Sequence, residues 1–440
     1  MPRERTGEKV VQSLFGATLA EQGRGFYITL ELLALLKGTQ TSSGEILPVQ
    51  KDPLRIERRA HDFARRLMAE PCALADSERE ALGSKEFETL RALALGLRVP
   101  VPGRRKRPKW QGEHLFPYVG ELIHYDAAVR RKRRNDDDPT DFRVSIERYT
   151  YRGAGGLVHK ILRIDTDHDR LERNRRGLAN LIEDSNGPLG RLFDAMMAHD
   201  LGSEDSPFED DLEANTKVYE TEWTEQLRNG VCRLVERKRP TAKIIESLMY
   251  WVPFCVARHQ LQLACNETGD ESIPIPIEMG ESRGIRRVSR EVHDDCRNAI
   301  VRALNKRAAA EHPGLLKDRK TMKWRDTSRN FFSATLGTVG ALNAMQGRRH
   351  FTMKPQLLEA VVLACLDRPE ISFEQFCRTT LFRELNVVVD RLSASECDRL
   401  GDMNLSDFQE NAQRMASALA SLGHLHQYSD MTKMVRVEVD

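Results

Sequence analysis

The sequence contains no Gly-x-x-x-x-Gly-Lys-Ser/Thr loop, which excludes ATP hydrolysis by P-loop chemistry in this chain. It also lacks a cysteine in a protease-like setting, so the usual cysteine nucleophile is missing. Eight cysteines are present, at 72, 232, 255, 265, 296, 365, 377 and 397, and no two form a Cys-x-x-Cys pair, so their spacing offers no zinc site. Most lie among apolar neighbours, where a reduced thiol behaves as a small hydrophobe. No apolar run approaches the roughly 20 residues needed to cross a bilayer. The most apolar stretch, SLMYWVPFCVA at 247–257, is bounded by Glu246 and Arg258 and is expected to be a buried helix bent at Pro253. Net charge is nearly absent: Lys+Arg total 68 against 66 Asp+Glu, leaving +2, so attraction for nucleic acid must come from local segregation of charge. The opening MPRERTGEKVVQ is charged and has no apolar segment of the signal-peptide type, which gives the expectation of a cytoplasmic protein.

At 440 residues, with 40% apolar and 30% charged residues, the chain has the composition of a globular protein of two or three domains. Residues 1–100 read as a helical domain: FYITLELLALLKG ends at a glycine, and DPLRIERRAHDFARRLMAE spaces Leu54, Ile56, Phe63 and Leu67 among charges. Residues 101–170 read as basic loops and a β-hairpin element. Arg104, Arg105, Lys106, Arg107 and Lys109 precede Trp110, and Arg130, Arg131, Lys132, Arg133 and Arg134 precede the acidic NDDD. FRVSIERYTYRGAGGLVHKILRID then alternates Val144 and Ile146 with polar residues and is expected to turn at Gly153–Gly156 into a second strand through Val158, Ile161 and Ile164. Phosphate-binding glycine loops precede a helix, so GAGG is read as a turn. Residues 171–346 read as a central helical domain broken by the acidic loop DLGSEDSPFEDD and the extended IPIPIEM.

Residues 347–440 carry the clearest pattern. Pro355 suits the first turn of a helix with an apolar side at Leu357, Leu358, Val361 and Val362. Ser372 with Gln375, and Ser406 with Gln409, have capping-box spacing. Gly423 stops the third helix, Ser429-Asp430 suits a turn, and Val435, Val437 and Val439 alternate with Arg436 and Glu438. Three helices followed by a ribbon is the winged-helix order. A DNA-reading third helix offers cations and amides to the major groove, whereas this one carries Asp407, Glu410, Gln413, Arg414, Ser417 and Ser421. Asp407, Glu410 and Arg414 are therefore expected to face a protein partner. Lys433 and Arg436 are the wing cations available to nucleic acid.

The segment from LLEAVVLACLD through SFEQFCRTTLFRELNVVVD to MVRV resembles the carboxy-terminal domain of accessory subunits of multi-gene bacterial anti-phage systems, such as those of phosphorothioation-dependent restriction. The resemblance covers about a fifth of the chain. It implies a non-catalytic subunit of a DNA-targeting complex, working beside a separately encoded ATPase or nuclease. The expected fold is mainly α, a helical array with a small β-hairpin element and a carboxy-terminal winged helix. The expected function is that of an adaptor without a cofactor, placing partner proteins on nucleic acid. Each basic run is either a solvated loop or a set of phosphate contacts in which Trp110 stacks on a base or sugar. Two alternatives stand beside the adaptor. One is a winged-helix DNA-binding regulator. The other is a metal-dependent phosphohydrolase or nuclease using the His-Asp pairs at 61–62, 168–169, 199–200 and 293–294, of which Asp165-Thr-Asp-His-Asp169 is the densest cluster.

Overall fold

The computed structural model describes residues 2–19, 25–49, 153–183, 216–317, 323–343, 348–400, 403–428 and 432–437. It also describes the segments 54–59, 83–98, 128–132, 142–146 and 203–208, and isolated positions between 67 and 123. The described residues are mainly helical, with small sheets. They run as α1 (Pro2–Phe15), α2 (Tyr27–Ser43), β1 (Leu54–Arg59), α3 (Ser84–Gly96), β2 (Ala128–Lys132), β3 (Phe142–Ile146), α4 (Ala154–Arg163), α5 (His168–Ile182), β4 (Ser203–Phe208), α6 (Glu222–Glu236), α7 (Thr241–Thr268), β5 (Ile275–Pro276), α8 (Arg283–Glu311) and α9 (Lys323–Thr338). No helix among them is long and apolar enough to cross a membrane. The chain forms two compact units: Met1–Thr29 with Asn215–Arg239 and Glu246–Asp440, and Leu30–Ala214 with Pro240–Ile245. These do not follow the four segments that composition suggests, because residues 347–440 share a unit with the first helix and with α6, α8 and α9.

In the unit built on residues 30–214, α2 buries Leu32, Leu33, Leu35 and Leu36. Residues 154–163 form a helix where the sequence suggested a second strand. Leu157, Val158, Ile161 and Leu162 repeat at three- and four-residue spacing and are all buried, so the helical period prevails over the apparent alternation. GAGG therefore lies at a helix N-terminus after all. Its anion is internal: the Glu31 carboxylate accepts from the Gly153 amide at 3.1 Å and the Gly155 amide at 2.9 Å. A Cβ at Gly153 would stand 2.7 Å from Glu31 Oε2, so glycine is what admits the carboxylate. A buried anion in this position is worth up to about 2 kcal/mol. Further along α2, Lys37 Nζ donates to the Ile182 carbonyl at the C-terminal end of α5, at 2.8 Å.

The small sheets also differ from expectation. Residues 54–59 form a strand, not a helix, since Leu54 and Ile56 are two apart, and β1 pairs antiparallel with β4 from the expected acidic loop. A basic strand thus lies beside an acidic one, with Arg58 opposite Glu204 in register. The first half of the expected hairpin is present as β3, but its partner is β2, which contains Arg130, Arg131 and Lys132.

In the other unit, α7 runs unbroken through Pro253 and buries nearly every residue from 244 to 265. Gly230 on α6 permits this packing, because a Cβ there would fall 2.1 Å from Trp251 Nε1. IPIP is extended as expected, with β5 pairing parallel to β7 (Val387–Val388). The next helix, α10 (Pro355–Cys365), begins with Pro355 in its first turn and buries Leu357, Leu358, Val361 and Val362, each worth about 1.5–3 kcal/mol. Its C-terminal carbonyls are held from α6. Arg233 donates to Ala364 and Cys365, and Arg237 to Leu363 and Leu366.

Beyond α10 come β6 (Glu370–Ser372), α11 (Phe373–Gln375), which continues as a π-helix over Phe376–Glu384, then α12 (Arg391–Ser395), α13 (Leu405–Ser421), β8 (Leu425–Gln427) and β9 (Lys433–Arg436). Ser372 caps α11 as its spacing indicates, accepting from the Gln375 amide at 3.1 Å. Ser406 does not cap α13. Asn404 does so from two residues earlier, through Oδ1 and the Ser406 amide at 3.1 Å. Gly423, at φ 78°, ends that helix. The expected two-stranded ribbon gains a third strand, in the order β6-β9-β8. Ser429, Asp430, Glu438 and Val439 lie outside the described residues.

Candidate nucleic-acid and protein interface

The first basic run and Trp110 lie outside the described residues, as do Arg133 and Arg134; Arg130, Arg131 and Lys132 sit on β2. Lys433 and Arg436 belong to β9. Arg436 is already engaged, with its Nε 3.3 Å from Glu370 Oε2 on the neighbouring strand. Lys433 is half-buried opposite Gln427.

The third helix of this module, α13, is the decisive element. Phe408, Met415, Ala416 and Leu419 face the core. One flank, carrying Asp407 and Asn411, is covered by residues 277–284 of the same chain, with the stem of Arg414 at its edge. Asn411 is buried and fully used: Oδ1 accepts from the Met279 amide at 2.7 Å, and Nδ2 donates to the Ile277 and Val389 carbonyls, both at 2.9 Å. Asp407, expected to be an exposed docking acid, is half-buried and accepts from Ser282 Oγ at 2.7 Å. Ser282 is itself the N-cap of α8. Two glycines allow the close approach: a Cβ at Gly284 would stand 3.0 Å from Asp407 Oδ2, and one at Gly280 would stand 2.6 Å from Arg414 Cδ.

The covering segment is fixed by Glu278, which is 3% exposed. Its carboxylate accepts from the Gly280 and Ser282 amides at 3.0 and 3.1 Å and from Arg286 Nε at 3.1 Å, with His350 Nε2 3.5 Å away. Burial would raise this carboxyl, but hydrogen bonds from His350 and Arg286 outweigh it and hold the group below its ordinary range. The open face of α13 carries Gln409, Glu410, Gln413, Arg414, Ser417 and Ser421. Its one cation, Arg414, is 3.1 Å from Glu410, and both are more than half exposed.

The His-Asp pairs have structural surroundings wherever they are described. Both carboxylate oxygens of Asp165 are held by Arg170, at 2.6 Å each, and Asp167 caps α5. His168 and Asp169 are exposed on the first turn of α5. His293 is buried, 2.9 Å from Ser333 Oγ and stacked on Phe332. Pairs 61–62 and 199–200 lie outside the described residues. No group of three or more His, Cys, Asp or Glu side chains placed to hold a metal ion occurs among the described residues.

Three further buried polar side chains, Arg258, His259 and Gln260, follow one another on α7. The Arg258 guanidinium lies over the Trp223 ring, 5.1 Å from its centroid, and burial lowers it to about 10, so it stays charged at neutral pH. His259 Nδ1 is 3.0 Å from Thr221 Oγ1, and Gln260 Nε2 donates to Ser328 Oγ at 3.0 Å. These contacts join α7 to its neighbours and present no open site. Sequence reasoning missed Asn411, Ser282, Gly280 and Gly284; their signals were a lone asparagine on the apolar side of a helix and the Gly-x-Ser-x-Gly run GESRG at 280–284, whose Ser282 caps α8 and donates to Asp407. Comparison of the chain with protein-family models, curated proteins and solved structures returns no match.

Proposed function

We propose that this chain is a non-catalytic adaptor subunit, cytoplasmic, of a bacterial DNA-targeting complex of the anti-phage kind, and that residues 347–440 form a winged-helix module used for docking protein. The order α10, β6, α11 with its π continuation, α13, β8 and β9, with β7 and the short α12 inserted before α13 and strands ordered β6-β9-β8, supports the winged-helix part. The defence assignment rests on the resemblance of this carboxy-terminal segment. One observation carries the docking role: the third helix is joined along a flank to residues 277–284, and the sole cation on its open face is neutralised by Glu410. A helix so placed offers a polyanion little attraction. Partner proteins meet a polar face with an ion pair that a basic patch can rearrange.

The test is co-purification of the full chain with the products of its neighbouring genes. Glu410→Lys is expected to weaken assembly severalfold, mainly through slower encounter, while duplex affinity stays equal or rises. Normal assembly of this variant together with loss of duplex affinity in a Lys433→Ala, Arg436→Ala variant would instead establish the DNA-binding regulator.

A further inference from the structure

A groove of about 470 Å³ lies along the second helix of the carboxy-terminal module, lined by Ser372, Glu374, Gln375, Arg378, Thr379 and Arg383. Every lining side chain is polar. An α-helical reading of FEQFCRTTLFRE would not place the two arginines together. At 3.6 residues per turn, positions five apart lie about 140° away from each other around the axis. Here the segment Phe376–Glu384 is a π-helix, and the Leu385 amide donates to the Thr380 carbonyl at 3.2 Å, a five-residue bond. In that winding residues five apart come round to the same side, so Arg378 and Arg383 share the groove with Thr379.

One cation in the groove is uncommitted. Arg378 is 2.7 Å from Glu396 and about half exposed. Arg383 is exposed and has no ion-pair partner among the described residues. Arg378 is thus committed to Glu396, and Arg383 is the available guanidinium, set beside one lining carboxylate, Glu374, and hydroxyl and amide donors. A docked peptide would ordinarily seek an apolar anchor pocket, and this groove has none. Phosphate oxygens are matched by the forked guanidinium donors and by hydroxyl and amide groups.

We infer that this groove binds the phosphodiester backbone of nucleic acid, with Arg383 as the phosphate-holding cation, Arg378 held beside it by Glu396, and Glu374 as the group that keeps the affinity low. The inference does not rest on the partner subunit proposed above, because a binding assay on the chain alone tests it. The assay is fluorescence anisotropy of a fluorescein-labelled 20-base-pair duplex against the full chain, titrated over salt. Arg383→Ala is expected to weaken binding roughly tenfold and to reduce the slope of log affinity against log salt by about one. Glu374→Gln is expected to tighten binding severalfold, a gain that misfolding cannot mimic. Unchanged affinity and slope in both variants would overturn the inference. So would a labelled polyglutamate peptide that loses affinity in Arg383→Ala while the duplex does not, since the groove would then be a site for acidic protein.

Discussion

Lowering the pH from 7 to 5 is expected to destabilise the fold by about 2 kcal/mol for each of three buried histidines, His159, His259 and His293. All three are held neutral. Burial is the main cause, and a nearby arginine adds to it: His159 falls to about 3 with Arg163 beside it, His259 to about 3 with Arg228, and His293 to about 4 with Arg297 and Arg349. Among the described residues neither ring nitrogen of His159 has a hydrogen-bond partner that would stabilise its charged form. In the unfolded chain each imidazole titrates near its ordinary 6.5. Below that value the unfolded state takes up protons that the folded state refuses. Stability is therefore complete above about pH 6.5 and declines as pH falls toward the folded values of about 3 to 4. Urea unfolding at pH 7 and pH 5 measures the difference. A His293→Gln variant should lose about a third less over the same interval, and a wild-type midpoint that does not move between these pH values would contradict the neutral assignment. Glu278 adds an acid-labile contribution at lower pH. Its folded value is depressed, so its share is present above the unfolded carboxyl value and disappears as pH falls through the folded one.

Asn411→Leu is expected to cost about 3 kcal/mol, although leucine fills a similar volume. The substitution strands the half-buried Met279 amide and the buried Ile277 and Val389 carbonyls, each with the desolvation cost of an unmade hydrogen bond. Gln413→Ala, half a turn away on the open face, should change stability by less than about 0.5 kcal/mol. The measurement is the urea midpoint at constant m-value. A small effect of Asn411→Leu would mean that residues 277–284 do not hold the helix.

What the sequence made legible was local. Pro355 in a first turn, Ser372 with its amide three residues on, and Gly423 in the left-handed region are decided by neighbours within one turn, and each is found as expected. The losses came where two periods fit the same residues or where the partner was distant. Val158, Ile161 and Ile164 suit a ragged alternation as well as a helix, and only Leu157 and Leu162 complete the stripe. Leu54 and Ile56 read as part of a longer helix because their strand partner, 203–208, looked like an acidic loop. The flank of α13 was assigned to solvent because the groups bonded to it from residues 277–284 are 125 to 134 residues away in sequence. Spacing rules for α-helices also separate Arg378 from Arg383, and only the π winding brings them to one groove.

Whether the third helix contacts DNA is tested most directly by duplex affinity in a Gln409→Ala, Gln413→Ala variant, the two amides on its open face suited to base edges. If α13 docks protein, affinity and salt slope should match the wild type within about twofold. A loss of tenfold or more, with weakened preference among duplex sequences, would make it a recognition helix and contradict the adaptor reading.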